Sequence, residues 1–172
     1  DKLSDNAVSE ARLATSGTAS SSNFLRGDMA WAVPGGGKVK QVAYAQHTTA
    51  VSHTPGTATF TDISSLSVTI TPSSSSNKVL VSGHVCTLNP GDHGGRGIAH
   101  RIMRGSTVIG SATSVGSRVA ANSFNAQTLN HGAPAHPFNF LDSPNTTSAV
   151  TYKPQVAPMQ HNTVYINYGT SD

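Results

Sequence analysis

Apolar and hydroxyl side chains alternate without a break from Leu66 to Thr71, with Leu66, Val68 and Ile70 on one parity and Ser67, Thr69 and Thr71 on the other. A period of two belongs to a strand with one buried face and one wet face, and no amphipathic helix carries it. The habit recurs, imperfectly, in KVKQVAYAQHT (38–48) through Val39, Val42 and Tyr44, and again in TATFTDI (57–63). KVLVSGHVCTL (78–88) reads as a long buried strand after the turn cluster Pro72–Asn77. IAHRIMRGSTVIGSAT (98–113) reads as a hairpin turning at Arg104-Gly105-Ser106. A strand around Val119–Leu129, a pair within 137–157 and a last strand in NTVYINYG (162–169) complete the series. Seven to nine short strands at turn spacings of about 8–12 residues predict an all-β fold, an antiparallel β-sandwich of jelly-roll-like type. Parity predicts that Leu66, Val68, Ile70, Val79, Val81 and Val85 face inward.

Composition closes off the alternatives. Glu10 is the sole glutamate, and Ser and Thr together make up about a quarter of the chain. Helix propensity is therefore poor over almost any window, which excludes an all-α fold and disfavours a doubly wound α/β enzyme. At 172 residues the chain has room for one core-bearing domain. Charged residues form only 11%, against about 25% in average soluble proteins. The net charge of +3 arises from scattered residues, with one loose group at Arg96, Arg101 and Arg104. Nucleic-acid binders concentrate such charge and interleave aromatics, which stand at 6% here, so no nucleic-acid partner is expected. No apolar run approaches the ~20 residues of a membrane-spanning helix, and no membrane insertion is expected. Cys86 is the single cysteine, so the chain holds no internal disulfide, and a small buried strand residue is the expectation there.

The chain divides by texture. Residues 1–37 combine a loosely helical or irregular start, a polar run and FLRGDMAWAVP, and end in Gly35-Gly36-Gly37, a flexible joint. This connector cannot bury a core of its own. Its large apolar residues, Leu13, Phe24, Leu25, Met29 and Trp31, are expected to pack against further copies of the chain. Residues 38–172 form the β-sandwich domain. The chain starts at Asp1 in what looks like the middle of an element, and a longer polypeptide is the expectation.

The order of the motifs resembles a known family. TFTDISSLSVTITPSSSSNKVLVSGHV (59–85) resembles the opening of the distal domain of tailed-bacteriophage tail-fibre and virion structural proteins. HRIMRGSTVIG (100–110), FLDSPNTTSAVTYKPQV (140–156) and NTVYINYGTSD (162–172) are similar to its later segments, in the same order. GTASSSNFLRGDMAWAVPGGG (17–37) resembles the connector that precedes such heads. The resemblance implies a homotrimeric virion fibre, assembled with other tail or fibre proteins, whose distal head attaches to a host-surface glycan or protein. A structural decoration or capsid fibre without a receptor is the alternative. The resemblance covers residues 17–172, except for the loops at 89–97 and 130–137, which follow no family pattern.

Those two loops are the recognition candidates, because binding diversity is usually carried on loops at the ends of a rigid sandwich. Asn89, Asp92, His93 and Arg96 in the first, and Asn130, His131 and His136 in the second, suit hydrogen bonding to sugar hydroxyls. Arg96 also suits a phosphate or carboxylate. Arg26-Gly27-Asp28 reads as a turn with flanking charges rather than an integrin ligand. Eight histidines (His47, His53, His84, His93, His100, His131, His136 and His161) include no His-x-His pair, so neither a metal nor another cofactor is expected. The β region's acids are Asp62, Asp92, Asp142 and Asp172. Asp62 and Asp142 sit in turn-like motifs where an Asp commonly bonds its own backbone. There is no G-x-S-x-G elbow, and no enzyme is expected.

Overall fold

The computed structural model describes residues 14–33, 39–88, 96–111, 116, 119–127, 133–160 and 163–168, with backbone only at 96 and 125–127. They form strands and turns and no helix. The chain separates into two units, Asp1–Lys40 and Gln41–Asp172.

In the first unit, β1 (Phe24–Leu25) and β2 (Trp31–Ala32) make a small antiparallel ribbon. Its turn is closed by Arg26 N–H to the Ala30 carbonyl and by Ala30 N–H to Asp28 Oδ1. Arg26 and Asp28 pair at 3.5 Å, both well exposed, so the tripeptide is a turn whose ion pair adds little stability. Ser16 runs beside Ala30, donating its N–H to the Met29 carbonyl and accepting from Trp31 N–H. Phe24 and Met29 are exposed, while Leu25 and Trp31 are half-buried. The Trp31 indole N–H is buried without a hydrogen-bond partner among the described residues. Leu13 lies outside the described residues.

The second unit is a β-sandwich. Its strands are β3 (Val51–His53), β4 (Thr61–Asp62), β5 (Val68–Ile70), β6 (Val79–Leu88), β7 (Arg96–Arg104), β8 (Thr107–Ile109), β9 (Ser123–Gln127), β10 (Ala135–Asp142), β11 (Val150–Pro158) and β12 (Val164–Ile166). One sheet has the order β10-β6-β12-β3, and all its pairings are antiparallel. The other is built on the β11–β7 pair. β4 and β5 line the free edge of β11, and β8 and β9 share the free edge of β7.

Register and burial show which faces meet. Val79, Val81, Val85 and Thr87 of β6, with His136, Phe138, Phe140 and Asp142 of β10, lie on one face of the first sheet. That face packs on Ile98, His100, Ile102, Tyr152 and Val156 of the second. Ile98, Val156, Val164 and Ile166 are essentially sealed, each side chain contributing about 1.5–3 kcal/mol by burial. The six residues expected to face inward do so. Val85 is fully buried, Val79, Val81 and Ile70 pack on the Ile102–Tyr152 cluster, and Leu66 packs on the Ile98–Val156 cluster. Val68 is half-buried beside Tyr152. Gly83 has no room for a side chain, since a Cβ there would stand 2.7 Å from the Phe138 ring lying across it.

The hairpin expected at 104–106 is present, with Arg104 opposite Thr107 and Gly105 at φ +57°. Two expectations are corrected. The stretch 39–48 forms no strand, and Val39, Val42 and Tyr44 stand in solvent. Alternation makes a strand possible, but a strand also needs a neighbour for its N–H and carbonyl groups, and this segment finds none among the described residues. Cys86 is half-buried rather than buried, because it falls on the outward parity of β6.

Candidate functional site

The two candidate loops spring from one end of the sandwich. The first leaves β6 at Leu88 and enters β7 at Arg96. The second leaves β9 at Gln127 and enters β10 at Ala135. Gln127 pairs with Arg96 and Ala135 pairs with Cys86, so both loops leave and enter at neighbouring strand ends. Asn89, Asp92, His93, Asn130 and His131 lie outside the described residues. Arg96 is placed by its backbone at the head of β7. His136 is the loop candidate whose side chain is described, and it turns away from the surface.

His136 follows Ala135 into β10 and faces the core, where its ring stacks on His100 of β7 at 4.2 Å between centroids and 20° between planes. His100 Nε2 and the hydroxyl of Thr87, which is 0% exposed, share a hydrogen bond of 2.9 Å. Burial, reinforced by the adjoining His136, pushes the His100 pKa down to about 3. Burial lowers that of His136 as well. Both rings are therefore neutral near pH 7. His100 Nδ1 and His136 Nε2 are buried without hydrogen-bond partners among the described residues. A hollow with room for about one water lies against them, lined also by Val85, Asn122, Ser123 and Phe138. A hydroxyl beside an imidazole is the beginning of a nucleophile–base pair. Here both members of the pair are buried between the two sheets.

A second polar cluster occupies the opposite end. Asp142, the last residue of β10, is buried and accepts from Arg104 Nη1 at 2.9 Å to each carboxylate oxygen and from the Tyr152 hydroxyl at 2.6 Å. Arg104 also donates to the Ser143 carbonyl. Burial and the Asp142 carboxylate raise the Tyr152 pKa far above its ordinary value. On the outer face of the second sheet, Lys153 and Gln155 both donate to Asp62, and the Arg101 guanidinium lies 3.9 Å from the Phe60 ring centroid. Partial burial opposes ionisation of Asp62, but the bonds from Lys153 and Gln155 outweigh it and hold its pKa low. Asp62 and Asp142 were both expected to bond their own turns. Each instead binds cations and donors on other strands, Asp62 those of its neighbour β11 and Asp142 those of β7 and β11 in the facing sheet.

Asn122 escaped the sequence reading. It sits between β8 and β9, where its side chain accepts from Ile102 N–H and donates to the Ile109 carbonyl, doing the work of a missing strand residue. Nothing local marks it. His100 was legible in part, since it shares the parity of Ile98 and Ile102. Among the described residues, no three His, Cys, Asp or Glu side chains gather as metal ligands would. No family model, curated protein or solved structure matches this chain.

Proposed function

We infer that this chain is the distal part of a homotrimeric bacteriophage virion fibre, whose sandwich carries two loops that attach to a host-surface glycan or protein. The observation that carries the reading is the shared origin of the two loops. The segments that break the family-like pattern are anchored side by side on a rigid frame, by Arg96 opposite Gln127 and Ala135 opposite Cys86. On the outer face of the second sheet Lys153 and Asp62 pair with each other, whereas loops bearing Asn, Asp, His and Arg offer donors and acceptors to sugar hydroxyls. Each such bond yields only about 1 kcal/mol net. Three heads on one fibre would raise avidity by roughly 10²–10⁴ without new contacts.

The test separates attachment from folding. Asp92→Ala, His93→Ala and Arg96→Ala together, and in a second variant Asn130→Ala with His131→Ala, are expected to reduce binding of the protein to host cells at unchanged Tm. His136 is left intact because it packs in the core. Unaltered attachment by both variants would favour a decoration fibre without a receptor.

A further inference from the structure

The sandwich unit begins with an unpaired segment and, among the described strands, ends one sheet on an unpaired edge. Residues 39–50 pair with no described strand, and Val39 is 74%, Val42 81% and Tyr44 89% exposed. Their sequence has the alternating character of a strand, and three large apolar side chains in water are a cost that a covered site removes. Two bonds hold this arm at its ends. Thr71 N–H donates to Gln41 Oε1, and Asn167 Nδ2 donates to the His47 carbonyl. The second bond places the arm beside the β12–β3 side of the first sheet.

The opposite edge of that sheet is β10, which among the described strands pairs with β6 alone. An unpaired edge presents a row of N–H and carbonyl groups, a template for a strand from another chain. Pro137 withdraws one donor near the loop end, which leaves Phe138–Asp142 as the continuous stretch. On the outward face there, Leu141 and its register partner Leu80 are 56% and 63% exposed. The arm cannot close on its own β10, because β6 and β12 lie between the two edges.

We propose that residues 41–46 of one copy add as a strand to β10 of the next copy, laying Val42 and Tyr44 beside Leu141. The occupant is a second copy because one chain supplies both halves of the contact, at opposite edges of one sheet. Such a head-to-tail contact is heterologous, and it closes into a ring when the rotation fits, as it does for three copies of a trimer. The inference rests on the trimeric reading above and adds to it the segment and the edge that join.

Two measurements on the full chain test it. Light scattering on the unaltered protein and on Val42→Asp with Tyr44→Asp is expected to show a trimer that falls toward monomer, with the β-type circular dichroism retained. In a Cys86→Ser background, Tyr44→Cys with Leu141→Cys is expected to give covalent dimers and trimers with a short bismaleimide, and either cysteine alone none. A trimer that survives the double Asp change and yields no interchain product overturns the arm contact and leaves the trimer standing. An unaltered protein that is a monomer overturns both. Should the Asp variant lose its β-type spectrum, the cross-linking result decides.

Discussion

The two ends of the sandwich hold polar groups in the same core on different terms. At the end away from the loops, Asp142 is fully engaged, with Arg104 and Tyr152 aimed at both of its oxygens. Six residues back along β10, beneath the loops, His136 stacks on His100, and each ring keeps a buried nitrogen without a partner among the described residues. A satisfied buried network locks one arrangement, whereas polar atoms that rely on more than protein partners hold theirs less firmly. The comparison teaches that the rigid anchor of this fold is the Asp142 end, and that the end bearing the candidate recognition loops is the more easily disturbed.

Removing Arg104 should do the greatest damage. Arg104→Ala leaves the Asp142 carboxylate buried without its cation, and we expect a loss of about 3–5 kcal/mol in denaturant unfolding. A loss below about 1 kcal/mol would mean that this end is not the anchor.

Acid should act at the other end. The His100 pKa is about 3 in the folded chain against 6.5 when unfolded, so between those values the unfolded state binds the extra proton. Stability contributed by the neutral ring is intact above pH 6.5 and is lost as pH falls toward 3, by up to a few kcal/mol. Carboxylates also titrate in that window, so the reading is a difference. Tm profiles from pH 7.5 to 4 should fall less steeply for His100→Gln than for the unaltered chain. Parallel profiles would remove the distinction between the two ends.

Tyr152→Phe sharpens the comparison from the satisfied side. It deletes one of the donors to Asp142 without opening a large cavity, and about 1–3 kcal/mol should be lost. The smallest effect belongs to the exposed Arg26–Asp28 pair, where Arg26→Ala should change stability by less than about 1 kcal/mol.

Parity made much of this legible beforehand. Local alternation is a property of the strand itself, so the inward residues from Leu66 to Val85 and the turn at Gly105 could be read directly. The same rule placed a strand at 39–48, where the described residues provide no neighbour. It left the ends of the sandwich unread. Arg104, Asp142 and Tyr152 are separated by 38 and 10 residues, and a cross-strand carboxylate cannot be told from a turn-capping one until the strands are paired.

What the sequence by itself determined is the class of the fold and the faces of its strands, because a period of two with few helix formers admits little else. What only the tertiary structure decided is the order of the strands, the meeting of His100 with His136 and Thr87, and the enclosure of Asp142 by Arg104 and Tyr152. The physical reason is that these contacts depend on which strands become neighbours. Packing of whole sheets sets that choice, and no local pattern records it.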